Sequence, residues 1–199
     1  ETDRPLRADA KINHERLLDV AARAFAREGT GASLKAIARE AGVGIGTLYR
    51  RFPTREALVE AVYRNEAARL CAAAPDLLEA LPPARALREW MERFVDFMAA
   101  KHGMADILRA VLVSEEDRMH TRHLLREALA TLVDAGVASG DFRPHLEPND
   151  LLMGLGGVTM IAGEPDQHDL AMRLLDLLLG GVGTGDVGAG AVGTGADRR

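Results

Sequence analysis

The chain has 199 residues, 47 % of them hydrophobic and 28 % charged, with one cysteine (Cys71) and a formal net charge of −5. This is an ordinary soluble balance with enough apolar material for a core, and it excludes an internal disulfide framework and cysteine-based zinc sites. Aromatics are only 4 %, while Ala, Leu, Arg and Glu abound, which favours helix over sheet.

No secretory signal pattern opens the chain, and its start at Glu1 rather than Met points to a short missing leader. The longest uncharged stretch, 151–163, falls short of the ~20 residues that span a bilayer. A reducing cytoplasm is the expected compartment. The charge is unevenly spread. Residues 1–64 hold 12 Lys/Arg against 9 Asp/Glu, whereas residues 65–199 hold 13 against 21. A basic head on an acidic body is the asymmetry expected when only the head meets phosphate.

Residues 1–11 read as an arm with Arg4, Arg7 and Lys11. The first helix is predicted over 13–28, where Leu17, Ala21 and Phe25 recur every four residues beside Leu18 and Ala22. Gly29 and Gly31 end it. Ser33 can cap a second helix with Leu34, Ile37, Ala38 and Ala41 on one face. Gly42 stops that helix, and a short third helix follows over 45–52. Pro53 breaks it. Thr54 can cap the fourth, whose apolar face includes Leu58, Ala61 and Val62.

Pro75, Pro82 and Pro83 mark loops beyond the fourth helix. Leu87, Trp90, Met91, Phe94, Val95 and Met98 then share one helical face, Gly103 punctuates, and Met104, Ile107, Leu108 and Val111 form another stripe. A longer helix is predicted over 118–138, a turn over 140–144, and two last helices over 148–162 and 165–179. No trustworthy period-two strand appears. Residues 180–199 are Gly, Ala, Val and Thr with little to bury, and read as a flexible tail.

Residues 33–52 have the layout of a helix-turn-helix. Ala38 lets the two helices cross closely, Gly42 permits the positive φ of a sharp turn, and Ile37, Val43, Leu48 and Phe52 can form a small core beneath. The outer side of the third helix offers Ile45, Gly46, Thr47, Tyr49, Arg50 and Arg51, with no carboxylate. Such a face suits a major groove, where side chains read base edges and arginines meet phosphates.

The segment 16–63 resembles the DNA-binding domain of the tetracycline-repressor (TetR) family. Leu18, Ala22, Phe25 and Gly29 carry the resemblance first. It continues through the run 33–43 (SLKAIAREAGV) and is strongest over 46–58 (GTLYRRFPTREAL). It covers about a quarter of the chain, and the remainder agrees only in helix pattern and length. The resemblance implies that Ile45, Gly46, Thr47 and Tyr49 face bases and nearby backbone. Lys35 would reach the groove or a phosphate. Arg51 matches a common phosphate-contacting His, and Arg55 a phosphate-binding Lys. The sequence departs from the family at Gly44, where a capping Ser or other polar residue is common, and at Ile45, often polar; an apolar side chain there can only read a thymine methyl.

The expected architecture is all-α with about nine helices. It comprises an N-terminal helix-turn-helix domain with its arm (1–63), a ligand-binding and dimerisation domain (64–180) and a tail (181–199). Two recognition helices must sit about one duplex turn apart or a little more to read a palindrome. The last two helices are expected to pair with their copies in a four-helix bundle, with Gly154, Gly156 and Gly157 allowing close approach and Leu174, Leu175, Leu178 and Leu179 supplying the seam.

The family places its ligand pocket between the C-terminal helices. Trp90, Phe94, Met98, Met104, Leu108, Met153 and Met160 are the candidate walls for a largely apolar effector. The reading is therefore a repressor released by a small molecule. An activator, or a regulator without a ligand, is the alternative, and a small helical enzyme carrying a helix-turn-helix is a further rival. No nucleophile, acid–base set, metal set or cofactor motif supports the enzyme. The GxGxxG at 183–188 follows a helix rather than a strand and reads as Gly-rich tail. His120 and His123 read as a solvated helix face, and Cys71 as inert packing.

Overall fold

Helix propensity and apolar spacing carry most of this chain into helix. The computed structural model describes the backbone of residues 3–111, 115–162 and 167–183, and the side chains of residues 12–111, 119–162 and 167–183. Nine α-helices lie among the described residues. They are α1 (Asp3–Glu28), α2 (Leu34–Glu40), α3 (Ile45–Arg51), α4 (Arg55–Ala80), α5 (Pro83–Gly103), α6 (Ala105–Val111), α7 (Glu115–Ser139), α8 (Pro148–Ile161) and α9 (His168–Val182). A 3-10 turn (Gly29–Gly31) follows α1. The extended pairing among the described residues is an isolated bridge between Phe142 and Gly183.

Several boundaries differ from expectation. The basic arm is helical from Asp3 onward, continuous with α1. Its residues include good helix formers, and Pro5 falls in the first turn, where its missing N–H costs no internal bond. The side chains of Arg4, Arg7 and Lys11 lie outside the described residues. Pro75 does not end a helix: α4 runs through it to Ala80. An interior proline costs about 3 kcal/mol, but Ala73, Ala74 and Leu77 around it are buried, and that packing holds the helix together.

Helix α9 also outlasts its expected end, continuing through Gly180 and Gly181 to Val182. Val182 is buried, and its carbonyl accepts from the Arg143 N–H at 3.0 Å, which fastens the end of α9 to the turn after α7. The rest of the Gly-rich segment (184–199), Pro165 and the acidic run at 115–117 with Ser114 fall where the structure or its side chains are not described. Among the described residues no group of three or more His, Cys, Asp or Glu is placed to hold a metal. His123 instead faces Glu127 at 3.5 Å.

Helix α5 is central, packing against α1, α4, α6, α7, α8 and α9. One continuous apolar cluster runs from Phe25 and Leu48 through Leu58, Leu87 and Trp90 to Leu129, Leu155 and Leu175. The expected division at residues 63/64 falls inside α4.

Candidate nucleic-acid interface

Each turn of the 33–55 segment is fixed locally. The Ser33 hydroxyl accepts from the Ala36 N–H at 3.3 Å and the Thr54 hydroxyl from the Ala57 N–H at 3.1 Å, capping α2 and α4. Gly42 takes φ +69° between α2 and α3, and the Val43 N–H reaches the Ala38 carbonyl at 2.9 Å. The Arg16 guanidinium of α1 lies over this turn. It donates from Nε to the Ala41 carbonyl at 2.7 Å and also from Nη2. The positive φ favours glycine at 42, and a Cβ there would displace the Arg16 guanidinium from the turn. Gly44 caps α3 with no side-chain bond.

Leu48 and Phe52 turn inward with Ile37, over a half-buried Val43. Gly44, Ile45, Gly46, Thr47, Tyr49, Arg50 and Arg51 are exposed on the other side, as is Lys35 on α2. Ile45 and Tyr49, at 39 % and 48 % exposure, are large apolar groups left in solvent at the start and middle of α3. Arg50 donates to the Thr47 hydroxyl at 3.1 Å. A Cβ on Gly46 would meet nothing within 4 Å, so packing within the chain does not require glycine there. His14 stacks on Phe52 at 5.8 Å. Burial first, then Arg51, lowers its pKa, with Glu15 opposing.

Arg55 is placed differently from the rest. Its Nη1 donates to the Thr30 and Ala32 carbonyls at 2.6 and 2.7 Å, tying the start of α4 to the segment before α2. Sequence periodicity found neither this tie nor that of Arg16. Both partners lie more than twenty residues away, beyond any helical period.

A cavity of about 660 Å³ lies among α4, α5, α6, α7 and α8. Phe94, Met98, Leu108 and Met153 line it as expected. Trp90 and Met104 do not: both are buried behind the wall. The Trp90 indole donates to the Leu70 carbonyl of α4 at 2.9 Å, and its ring lies 5.9 Å from that of Phe94. Met160, 83 % exposed, stands on the outer surface of α8 instead. An apolar stripe shows which residues turn from water, and does not separate a cavity wall from the core behind it.

The wall also contains Tyr63, Phe97, Lys101, Arg122, Leu125 and Leu152, which the sequence reading missed. Lys101 was legible in principle, since 94, 97, 98 and 101 follow one helical face.

Directly beyond Lys101 and His102, Gly103 meets α1. A Cβ there would collide with the Phe25 carbonyl and lie 3.2 Å from the Ala26 Cα. The end of α5, one residue beyond the cavity-lining His102, is thus in backbone contact with the last turn of α1. Beside this joint, Arg69 of α4 pairs with Asp19 of α1 and lies 3.6 Å from Glu66. Burial raises the pKa of Glu66, with Arg69 opposing.

On the far side, Met160, Ile161 and Leu177 are exposed on α8 and α9, and nothing lies within 4 Å of a Cβ built on Gly156 or Gly157. Leu175, by contrast, is fully buried within the protomer, so it is no part of an outward seam. Gly154 lies against Leu178 of the same chain. No described helix is long and apolar enough to cross a membrane.

Residues 17–62 match the model of bacterial regulatory proteins of the TetR family, and residues 82–184 match that of the C-terminal domain of SbtR-like transcriptional regulators. A solved TetR transcriptional regulator from Streptomyces coelicolor is 51 % identical over 84 % of this chain and 97 % of its own, with a TM-score of 0.79. A TetR regulatory protein from Mycobacterium vanbaalenii is 33 % identical over 90 % of this chain and 99 % of its own, with a TM-score of 0.73. An HTH-type transcriptional regulator of Staphylococcus aureus (strain USA300) is 39 % identical over 62 residues, 31 % of this chain. That match spans only about a third of the length of the curated relatives, 34 %. Two family models in chain order and a shared fold over most of the length make this chain a member of the TetR family of DNA-binding transcriptional regulators.

Proposed function

We propose that this regulator is a repressor, that it grips a palindromic operator as a homodimer, and that a small, largely apolar effector releases it. Residues 1–63 form the DNA-binding unit, 64–180 the effector and dimerisation unit, and 181–199 a tail. Ile45, Gly46, Thr47 and Tyr49 approach the bases, Arg50 and Arg51 the flanking phosphates, and Lys35 the groove edge or a phosphate. Arg55 supports this surface through its bonds to the Thr30 and Ala32 carbonyls, with phosphate contact secondary. The exposed faces of α8 and α9 pair with their copies through Leu177, Met160 and the open surface at Gly156 and Gly157. The cytoplasm is the compartment where such a protein meets the chromosome.

The observation that carries the effector reading is the joint at Gly103. A ligand between α5, α6 and α7 bears on the last turns of α5, whose end at Gly103 meets the backbone of α1, so it can favour a protomer shape whose two heads no longer match the operator. It does so only by its differential affinity for the two shapes. The test is an electrophoretic shift with genomic fragments, followed by titration of lipophilic compounds against the bound fragment with Trp90 fluorescence recorded in parallel. Release of DNA in step with the Trp90 signal supports the reading. Release by a compound that leaves both Trp90 and a Met98→Trp cavity-filling variant unaffected would move the effector site elsewhere.

A further inference from the structure

The cavity wall combines an apolar part with basic groups from three helices. Phe94 and Phe97, with ring centroids 6.4 Å apart, and buried Leu125 and Leu152 form the greasy part. The titratable groups on its wall are Tyr63 of α4, Lys101 and His102 of α5, Arg109 of α6 and Arg122 of α7, and no carboxylate lines it among the described residues. Arg109 has Asp106 at 3.5 Å on the exposed side.

The other two cations have no anionic partner among the described side chains. Arg122 offers its Nη2 to the Met153 sulfur at 3.0 Å, a weak acceptor for a strong donor. Lys101 is half-buried one turn beyond Met98, and burial alone lowers the pKa of its ammonium. A partly desolvated cation beside an apolar chamber gains most from a single anion that enters with a tail to bury. A second cation would be repelled. A multiply charged ligand would lose more hydration than two cations offset.

We propose that the effector is an amphipathic organic monoanion, its hydrocarbon part among Phe94, Phe97, Leu125 and Leu152 and its carboxylate on Lys101 and Arg122. This rests on the reading of the cavity as the effector site and assigns the headgroup that the reading leaves open. A volume of about 660 Å³ lies in the range of small-molecule sites.

The probes are decanoate, decan-1-ol and decylamine, each titrated below its aggregation concentration into the full chain. Binding is followed by calorimetry and scored alongside release of a bound genomic fragment. Decanoate is expected to bind on the order of tenfold tighter than decan-1-ol, with decylamine weakest. Lys101→Met should bring decanoate down to the level of the alcohol, and Lys101→Arg should keep its advantage. Arg122→Met, on an exposed side chain, makes the same test if Lys101→Met fails to fold. If the alcohol binds as tightly as decanoate and both release DNA, the charge assignment is overturned and the effector reading survives. If decanoate binds through Lys101 without releasing DNA, the effector reading falls and the anion site stands. Binding of none of the three would overturn both.

Discussion

The outer face of α3 and the wall of the cavity both present cations, and the two surfaces set them in opposite surroundings. On α3, Arg50 and Arg51 stand in water over a small apolar core, with no carboxylate on the same face. Phosphates can meet them there at little desolvation cost. In the cavity, Lys101 is half-buried among aromatic and aliphatic groups, and burial lowers its pKa, a setting that suits an anion with an apolar body. The overall charge of −5 hides both facts. What a cation in this molecule can bind is decided by how far it is desolvated and by what lies within one helical turn of it.

Between these surfaces lies the Gly103 joint, and the most severe way to break the comparison is to fill it. Gly103→Val would force a side chain into the Phe25 carbonyl. A stability loss of about 2–3 kcal/mol is expected in urea titration, together with loss of DNA binding. A variant that melted like the wild type would mean that α1 and α5 are not tightly joined.

Next in size are two leucines of α9. Leu177 is 73 % exposed and Leu175 fully buried. Leu177→Asp should give a folded monomer by light scattering that binds operator poorly. Leu175→Asp should lower the melting temperature of the protomer itself, read by circular dichroism, because its side chain is buried. A dimer that survived Leu177→Asp would place the interface elsewhere.

A smaller contrast separates two arginines of the head. Arg51→Ala should flatten the dependence of log affinity on log salt by roughly one unit. Arg55→Ala should mainly lower the melting temperature, because its bonds go to the Thr30 and Ala32 carbonyls. Equal salt slopes for Arg51→Ala and wild type would remove Arg51 from the phosphate contacts.

The smallest effect concerns pH. Burial and Arg51 hold the His14 pKa below the ordinary 6.5. The unfolded chain therefore takes the proton first, so this contribution is present above about pH 6.5 and is lost progressively as the pH falls from there through the lower pKa of the folded state. His14→Leu should lessen the acid sensitivity of the melting temperature. An unchanged pH profile would mean that His14 is not the group responsible.

The head was legible because its determinants are local. Ser33, Gly42 and Thr54 act within three or four residues of their own positions, and the apolar period fixes Leu48 and Phe52 beneath α3. What escaped was long-range: Arg16 bonds to the Ala41 carbonyl and Arg55 to the Thr30 carbonyl, each across 25 residues. In the body, apolar spacing and the family's pocket position put Trp90 and Met104 on the cavity wall, whereas both are buried behind it and the Trp90 indole bonds to the Leu70 carbonyl of α4. Pro75 misled for the same reason, since burial of its neighbours outweighs its local cost.

The reading of α3 as the base-contacting element is tested most directly by selecting bound sequences from random duplexes with the wild type and with Gly46→Ala. A Cβ at Gly46 meets nothing inside the protein, so Gly46→Ala should be as stable as wild type or more so, by up to about 1 kcal/mol. The wild type should enrich an inverted repeat with half-site centres about one duplex turn apart or a little more. Gly46→Ala, equally folded, should fail to enrich that repeat. Enrichment of no repeat by the wild type, or of the same repeat with equal strength by both proteins, would contradict it.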